Sequence, residues 1–567
     1  VLTQDGAGFS LTNIAVGVGA LVSNGTGTGN AAVGYQALYS SVTGFNNAAV
    51  GYQALYSANA TLYNVAIGFR AMRNNTTGDY NTAVGFQTLY SNTIGIQNTA
   101  IGYLALSLNT NGQFNTAVGT LAAYNTTTGS SNVSVGRTAL YTNTTGQYNV
   151  AVGVNALYTA DGTLYNTAIG YQTMRQTTTG DYNTAVGHSA LYSNTTGIMN
   201  TVFGEQALYT NTVGIENTAL GAETLYNNTV GNYNTAVGSR ALAANTTGIE
   251  NTAVGAYALN TNKTGSYNVA VGTGAMYLAN GGSQNVAIGG YTLRSNATGA
   301  NNNTAVGHNA MYTNTTGVNN VAVGYQSLYS ATITQYNVAI GYQAMRQTTT
   351  GDSNTAVGYS ALYSNTTGVD NVAMGYNALN ANTIGVANIA IGRGSMALNS
   401  TGQNNVAIGY IALSTNNTGQ NNVAIGYEAM RASTITQYNV AVGHQAMRST
   451  TTGDYNTAVG YNALYSTTTG GSSVAIGFNA AYNNTIGGNI VAIGVYALYN
   501  SKSSLYNVAV GREALYNTDG TSYNIALGYR AMYSTTTGDS NTAVGYNAMY
   551  ANTTGAGNVA MGYLAMD

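Results

Sequence analysis

Side chains able to do acid–base, nucleophilic or metal chemistry are few in this chain and lie far apart. There are 3 His, 16 acidic residues and no Cys. A zinc site or a catalytic triad needs several such groups converging on one point. His188, His308 and His444 sit in distant parts of the sequence with no cluster of carboxylates beside them. Asp5 and Asp161 lie in loops that lack the alternating carboxylates of a calcium loop. Gly25-Thr26-Gly27-Thr28-Gly29 has the glycines of a phosphate loop, but no helix follows to complete one. The chain therefore reads as a non-enzyme with no cofactor and no metal. One modification signal recurs: Asn75-Thr76-Thr77, Asn143-Thr144-Thr145 and Asn365-Thr366-Thr367 are N-glycosylation sequons, expected on exposed turns. The Thr/Asn composition of the turns also produces such triplets by itself.

The composition narrows the partners. Only 5% of the 567 residues are charged and the net charge is −2, so nothing points to nucleic acid or an anionic membrane. Asn, Thr or Gly interrupts every apolar run before it could span a bilayer. The absence of Cys rules out a disulfide framework, and the absence of Pro suits a chain whose N–H groups are engaged in ladders.

What positions the side chains is a repeat. Gly17, Gly34, Gly51, Gly68, Gly85 and Gly102 are each 17 residues apart, and the series runs to Gly289. One extra residue enters near Asn301, and the register resumes at Gly307 and continues to Gly562, making 33 units. We number each unit from this Gly. Asn occupies position −4, with Ser473 and Ile490 the exceptions, and Leu or Met occupies +4, with Ala123 and Ala481 the exceptions. Val or Ile precedes the Gly, Tyr or Phe often follows it, and the rest is Asn-Thr-Thr-Gly turn material. The three His fall at +1 and read as replacements in an aromatic column.

Ala-Val-Gly-Tyr-x-Ala-Leu-Tyr is too short for a stable helix and rich in strand formers, so one unit is one or two short strands and a turn. A single unit cannot bury its apolar side, but stacked copies can. The predicted fold is all-β, a parallel β-solenoid (β-roll) of about 33 rungs, with a lead-in over residues 1–12 and a continuous rod over 13–567. At about 4.8 Å per rung the rod would measure on the order of 160 Å. Like residues should form ladders: Asn64, Asn81 and Asn98 passing amide bonds along the axis, Gly68, Gly85 and Gly102 marking close approach, and Leu89 with its Val/Ile neighbours filling the interior. Small residues beside these columns suggest faces that another chain can approach. The Tyr columns at +1 and +5 read as stiffening stacks or as a sticky face for glycans.

A second order overlies the first. Gly at +10 is replaced by Thr61, Thr163, Thr334, Thr436, Ser504 and Thr521. Four of these rungs precede a rung with a Met-Arg pair and an Asp six residues after the Arg: Arg73 with Asp79, Arg175 with Asp181, Arg346 with Asp352, and Arg448 with Asp454. These read as surface ion pairs, worth under about 1 kcal/mol each, or as contacts that set register between chains.

The rungs Asn285-Val286-Ala287-Ile288-Gly289 and Asn422-Val423-Ala424-Ile425-Gly426 resemble the head repeats of trimeric autotransporter adhesins, the YadA-like heads. They also resemble the repeat shafts of bacteriophage tail fibres. The resemblance implies a left-handed β-roll, three chains side by side, and an extracellular adhesive fibre at a cell surface or on a virion, with surface glycans or a host-cell receptor as partner. The adhesin repeat is shorter than this one, and no stalk, anchor or fibre chaperone appears in the chain. The function expected is a structural or adhesive fibre segment that self-associates as a homotrimer or filament, with a tail-fibre shaft for host recognition as the alternative. An ice-binding solenoid fits less well, because the Thr pairs lie in turns. The opening at Val1 and the lack of a visible cap read as part of a longer fibre, or of subunits joined end to end.

Overall fold

A three-residue strand has no stability of its own, and a 17-residue rung can satisfy it only with its own copies. The computed structural model describes residues 12–297 and 299–566, so residues 1–11 of the expected lead-in, with Asp5, lie outside the described residues. The chain is an all-β parallel β-solenoid with one strand per rung, 33 strands among the described residues. It forms two compact units, Val1–Ser283 and Gln284–Asp567. The first holds strands β1 (Ile14–Val16) to β16 (Val269–Val271), and the second β17 (Val286–Ile288) to β33 (Val559–Met561). Within each unit strands pair parallel and like on like: Ala49 lies beside Ala66, and Ala66 beside Ala83. In the second unit the rung with the extra residue keeps this pairing, Ala287 with Ala305, and takes up the addition in its turn.

Each strand occupies positions −3 to −1, and Gly 0 ends it. At Gly68 φ is +136°, and a Cβ there would lie 2.2 Å from the carbonyl oxygen of Gly85. Conformation and close approach therefore both demand Gly. The next residues are not a second strand. Gln53 and Leu55 both have φ of 50°, and Tyr63 has 54°, so a rung holds three left-handed residues that are not Gly. Each costs about 1–2 kcal/mol. Hydrogen bonds between rungs offset this: Gln53 N–H donates to Tyr35 O at 2.8 Å, and Leu55 N–H to Ala71 O at 2.8 Å.

The left-handed turns change which residues face inward. The interior holds Ala at −2, Ala or Thr at +3 and Leu or Met at +4, as in Ala49, Ala54 and Leu55, all fully buried. The expectation that the Val/Ile column fills the interior is wrong. Strand alternation sends −2 inward, so Val50 and Ile67 point outward, each 41% exposed. The small residues at −2 and +3 line a thin core rather than an outer face.

The polar half of the cross-section is two Asn columns. Asn98 at −4 donates through Nδ2 to Gly112 O at 2.9 Å and to Asn81 Oδ1 at 3.1 Å, and its Oδ1 accepts the Asn115 N–H at 2.9 Å. Asn64 and Asn81 sit in the same column, joined by the Asn81 N–H to Asn64 Oδ1 bond at 2.8 Å. A second column at +7, which includes Asn75, Asn92 and Asn109, is joined amide to amide at 2.7 Å. Asn92 and Asn98 thus close their own turns and tie them to neighbouring rungs, satisfying groups that burial would otherwise leave orphaned.

Candidate interaction surfaces

The rung puts its chemistry on the outside, in columns. His188 stacks on Tyr171 at 5.4 Å, His308 on Tyr325 at 5.9 Å, and His444 on Tyr427 and Tyr461 at 4.9 and 4.8 Å. They replace aromatics and lie in separate stretches. Among the described residues no group of three His, Cys, Asp or Glu could hold a metal, and no helix is long and apolar enough to cross a membrane. Gly25 to Gly29 form the turn of one rung, with no helix after them.

The four expected Arg–Asp ion pairs are not formed. Arg73 lies 5.0 Å over the Tyr56 ring and donates from Nε to Gln53 Oε1 at 3.2 Å. Arg175 lies over Tyr158 and donates to the Tyr192 hydroxyl at 3.1 Å, and Arg346 over Tyr329, donating to Gln326 at 3.1 Å. Arg448 donates to Glu428 Oε2 at 2.6 Å and to the Tyr465 hydroxyl at 3.1 Å. Each Arg occupies the Tyr position +5, where a flat guanidinium continues the stack of rings. The Asp partners are elsewhere. Asp79, Asp181, Asp352 and Asp454 each accept a backbone N–H of the preceding rung: Leu62 at 2.7 Å, Leu164 at 2.8 Å, Gln335 at 2.7 Å and Gln437 at 2.7 Å.

Sequence reasoning missed the carboxylates at +2. Glu428 is nearly buried. That burial works to raise its pKa, but hydrogen bonds from Arg448 and Gln445 and the nearby positive charges outweigh it and hold the carboxyl below its ordinary value. Glu513 likewise meets Arg512 at 3.2 Å and Arg530 at 2.5 Å. The signal available was an acid one rung before an Arg, a spacing that means nothing until the period is known.

The Tyr columns form stacks in runs, broken at rungs such as those of Ser107 and Ala243. Tyr465, Tyr482, Tyr499, Tyr516, Tyr533 and Tyr550 run ring on ring at 4.9 to 5.3 Å. Stacking covers the ring faces and leaves edges and hydroxyls outward, so a sugar has no open face inside a column. The turn Thr at +8 is occupied too: Thr76 Oγ1 donates to Thr93 O at 2.9 Å, and Thr93 Oγ1 to Thr110 O at 3.1 Å.

The sequons of Asn75, Asn143 and Asn365 are closed. Asn75, Asn143 and Asn365 are fully buried, and their amides donate to Gly78 O at 2.8 Å, Gly146 O at 3.2 Å and Gly368 O at 3.0 Å. The turns are exposed, but the acceptor Asn points into the core. Made in a glycosylating host, the folded protein should carry no glycan at these three Asn. The check is mass spectrometry of the peptides that carry these Asn before and after endoglycosidase, and a glycan on Asn75 would refute the argument.

The outer sheet face is apolar. Position −1 is apolar in every strand, and −3 is Thr, Val, Ile or Ala in every strand. With the +1 aromatics they form a stripe that includes Ile67, Phe69, Ile101 and Tyr103, each 38 to 50% exposed. No family model matches the chain, and no curated protein matches it.

Proposed function

We propose that this chain is the repeat shaft of an extracellular fibre, structural or adhesive, in which copies of the chain pack side by side through their sheet faces. The outer stripe supports the reading. Solitary proteins seldom leave contiguous apolar patches beyond about 300–600 Å² in water. A stripe with no charge at −1 or −3 in any rung runs well past one such patch. A second copy is the natural cover, being equally free of charge at −1 and −3 and matched in spacing rung for rung. Three copies, as the resemblance to adhesin heads implies, would bury the stripe around a common axis. Such a shaft would hold an attachment point away from a cell or virion surface, and any contact it made along its length would be weak and multiplied by repetition.

The test is sedimentation. The chain should run as a multiple of 58.2 kDa at micromolar concentration. The triple variant Ile67→Lys, Ile101→Lys, Ile169→Lys should run as single chains with its circular dichroism unchanged, since all three side chains point away from the core. A wild type already monomeric, or a triple variant still assembled, would overturn the reading.

A further inference from the structure

A stack of near-identical rungs has a problem that ordinary folds do not. If one rung loops out, the rungs on either side can pair with each other, and the Ala, Leu and Asn columns still match. Loop closure penalises this only weakly, because its cost grows slowly with length. Something else has to say which rung follows which.

We infer that the Thr rungs and the Asp that follows each of them are register keys, built to reject a looped-out rung. The five Thr at +10 are Thr61, Thr163, Thr334, Thr436 and Thr521, and the five Asp at +11 are Asp79, Asp181, Asp352, Asp454 and Asp539. Each Asp stands in the rung directly after a Thr, and none stands anywhere else at +11. Ser504 is not followed by an Asp, and Ser522 stands in that place.

Three features mark a key rung, and the last two set it apart from an ordinary one. First, Thr at +10 needs room. A Cβ on Gly78 would meet the Gly95 carbonyl oxygen at 2.3 Å and Asn75 Oδ1 at 2.5 Å, so the next rung's backbone must give and Asn is absent at +7 where +10 grows. Ala58, Ala160, Ala331, Ser433 and Thr518 stand there in the five Thr rungs, a trait shared with Gly rungs that carry Ser41, Thr126 or Ala279 at +7. Second, the key rung forms a parallel bridge with the rung before it: Phe45 with Leu62, Gln147 with Leu164, Val318 with Gln335, Gln420 with Gln437, and Leu505 with Ser522. Third, the +11 N–H of the key rung is capped from the rung after it, ending with Ser522 N–H to Asp539 at 2.8 Å. Ser130, Asn232 and Ser266 cap ordinary rungs with neutral oxygens, whereas the charged acceptor follows only a Thr rung.

A key therefore reads both neighbours. If residues 64–80 looped out, Leu62 would face Ile96 instead of Asp79, and its N–H would lose the acceptor. Thr61 and Thr163 are six rungs apart, as are Thr334 and Thr436, so keys interrupt runs of interchangeable rungs at intervals.

The experiment uses the full chain, which has no Cys of its own. Ala60 and Ile94 lie two rungs apart, about 9.6 Å, too far for a disulfide. Within one chain the Ala60→Cys, Ile94→Cys pair can therefore close only if the rung between them has looped out, and bonds between chains are told apart by their doubled mass in non-reducing gels. The added changes Ala58→Asn, Thr61→Gly and Asp79→Gln turn the key into an ordinary rung. After unfolding, refolding and mild oxidation, the key-less chain should show at least a fivefold larger disulfide-linked fraction than the same Cys pair with the key intact. An equal fraction would overturn the inference. So would failure of the key-less chain to regain native circular dichroism, because the key would then be a stability element and not a register mark.

Discussion

Gly68→Ala is expected to disrupt its rung outright, at a cost of about 3–5 kcal/mol. Two penalties coincide. The backbone there has φ of +136°, and the added methyl would sit 2.2 Å from the carbonyl oxygen and 2.7 Å from the carbonyl carbon of Gly85. Neither atom belongs to a flexible side chain, so relief requires the rungs to part. Gly557→Ala is the control: its φ is +71°, but a methyl would meet nothing within 4 Å, leaving only the conformational cost of about 1–2 kcal/mol. Hydrogen exchange should resolve the difference better than a global melt, because repeat stacks lose stability rung by rung. The Gly68 and Gly85 amides, bonded to Val50 O and Ile67 O at 2.8 Å, should lose protection while distant rungs keep theirs. Unchanged exchange at both amides would mean that the close approach is not what the Gly column serves.

Asn98→Ala carries the second largest effect. The side chain makes three buried bonds, and its loss leaves the Asn115 N–H and the Gly112 carbonyl unpaired in the interior. At about 1–3 kcal/mol for each buried orphan, the expected cost is about 3–5 kcal/mol. The reverse experiment sits in the chain already. Ser473 holds position −4 with a hydroxyl that reaches only Gly471 O at 3.3 Å, while its N–H still donates to Asn456 Oδ1 at 3.0 Å. Ser473→Asn should restore the missing donor and raise stability by about 0.5–1.5 kcal/mol. Chemical denaturation of the two variants beside the parent is the check, and an Asn98→Ala chain as stable as the parent would refute the account.

The period, the strand at Asn-x-Ala-Val-Gly and the parallel like-on-like stack were legible because a 17-residue repeat leaves a three-residue apolar strand only one kind of partner. The inside and outside of the rung were not. Val50 is more apolar than Ala49, yet Ala49 faces inward, because Gly51 and the left-handed Gln53 and Leu55 bend the chain around a core too thin for two large columns. No propensity predicts Leu in that conformation; the ladder imposes it. The sequons failed for the same reason: Asn75 looks like turn material until the turn is seen to fold its amide inward. The Asp residues carried a real signal that was paired with the wrong partner. Thr61 and Asp79 are eighteen residues apart, one rung and one residue, and that spacing joins them to a backbone N–H that sequence does not display.

The rung between Leu293 and Asn303 holds one residue more than its fellows, yet Val286, Ala287 and Ile288 still find Thr304, Ala305 and Val306. That corner swallows added length and passes none of it on. The strand end of the rung behaves in the opposite way, since a residue inserted beside Gly68 would turn every later side chain to the wrong side. Growth by whole rungs and ornament at the corner are thus the two edits such a molecule can survive, and a grafted peptide placed at that corner would be displayed at whichever rung is chosen, like a flag on a numbered rail.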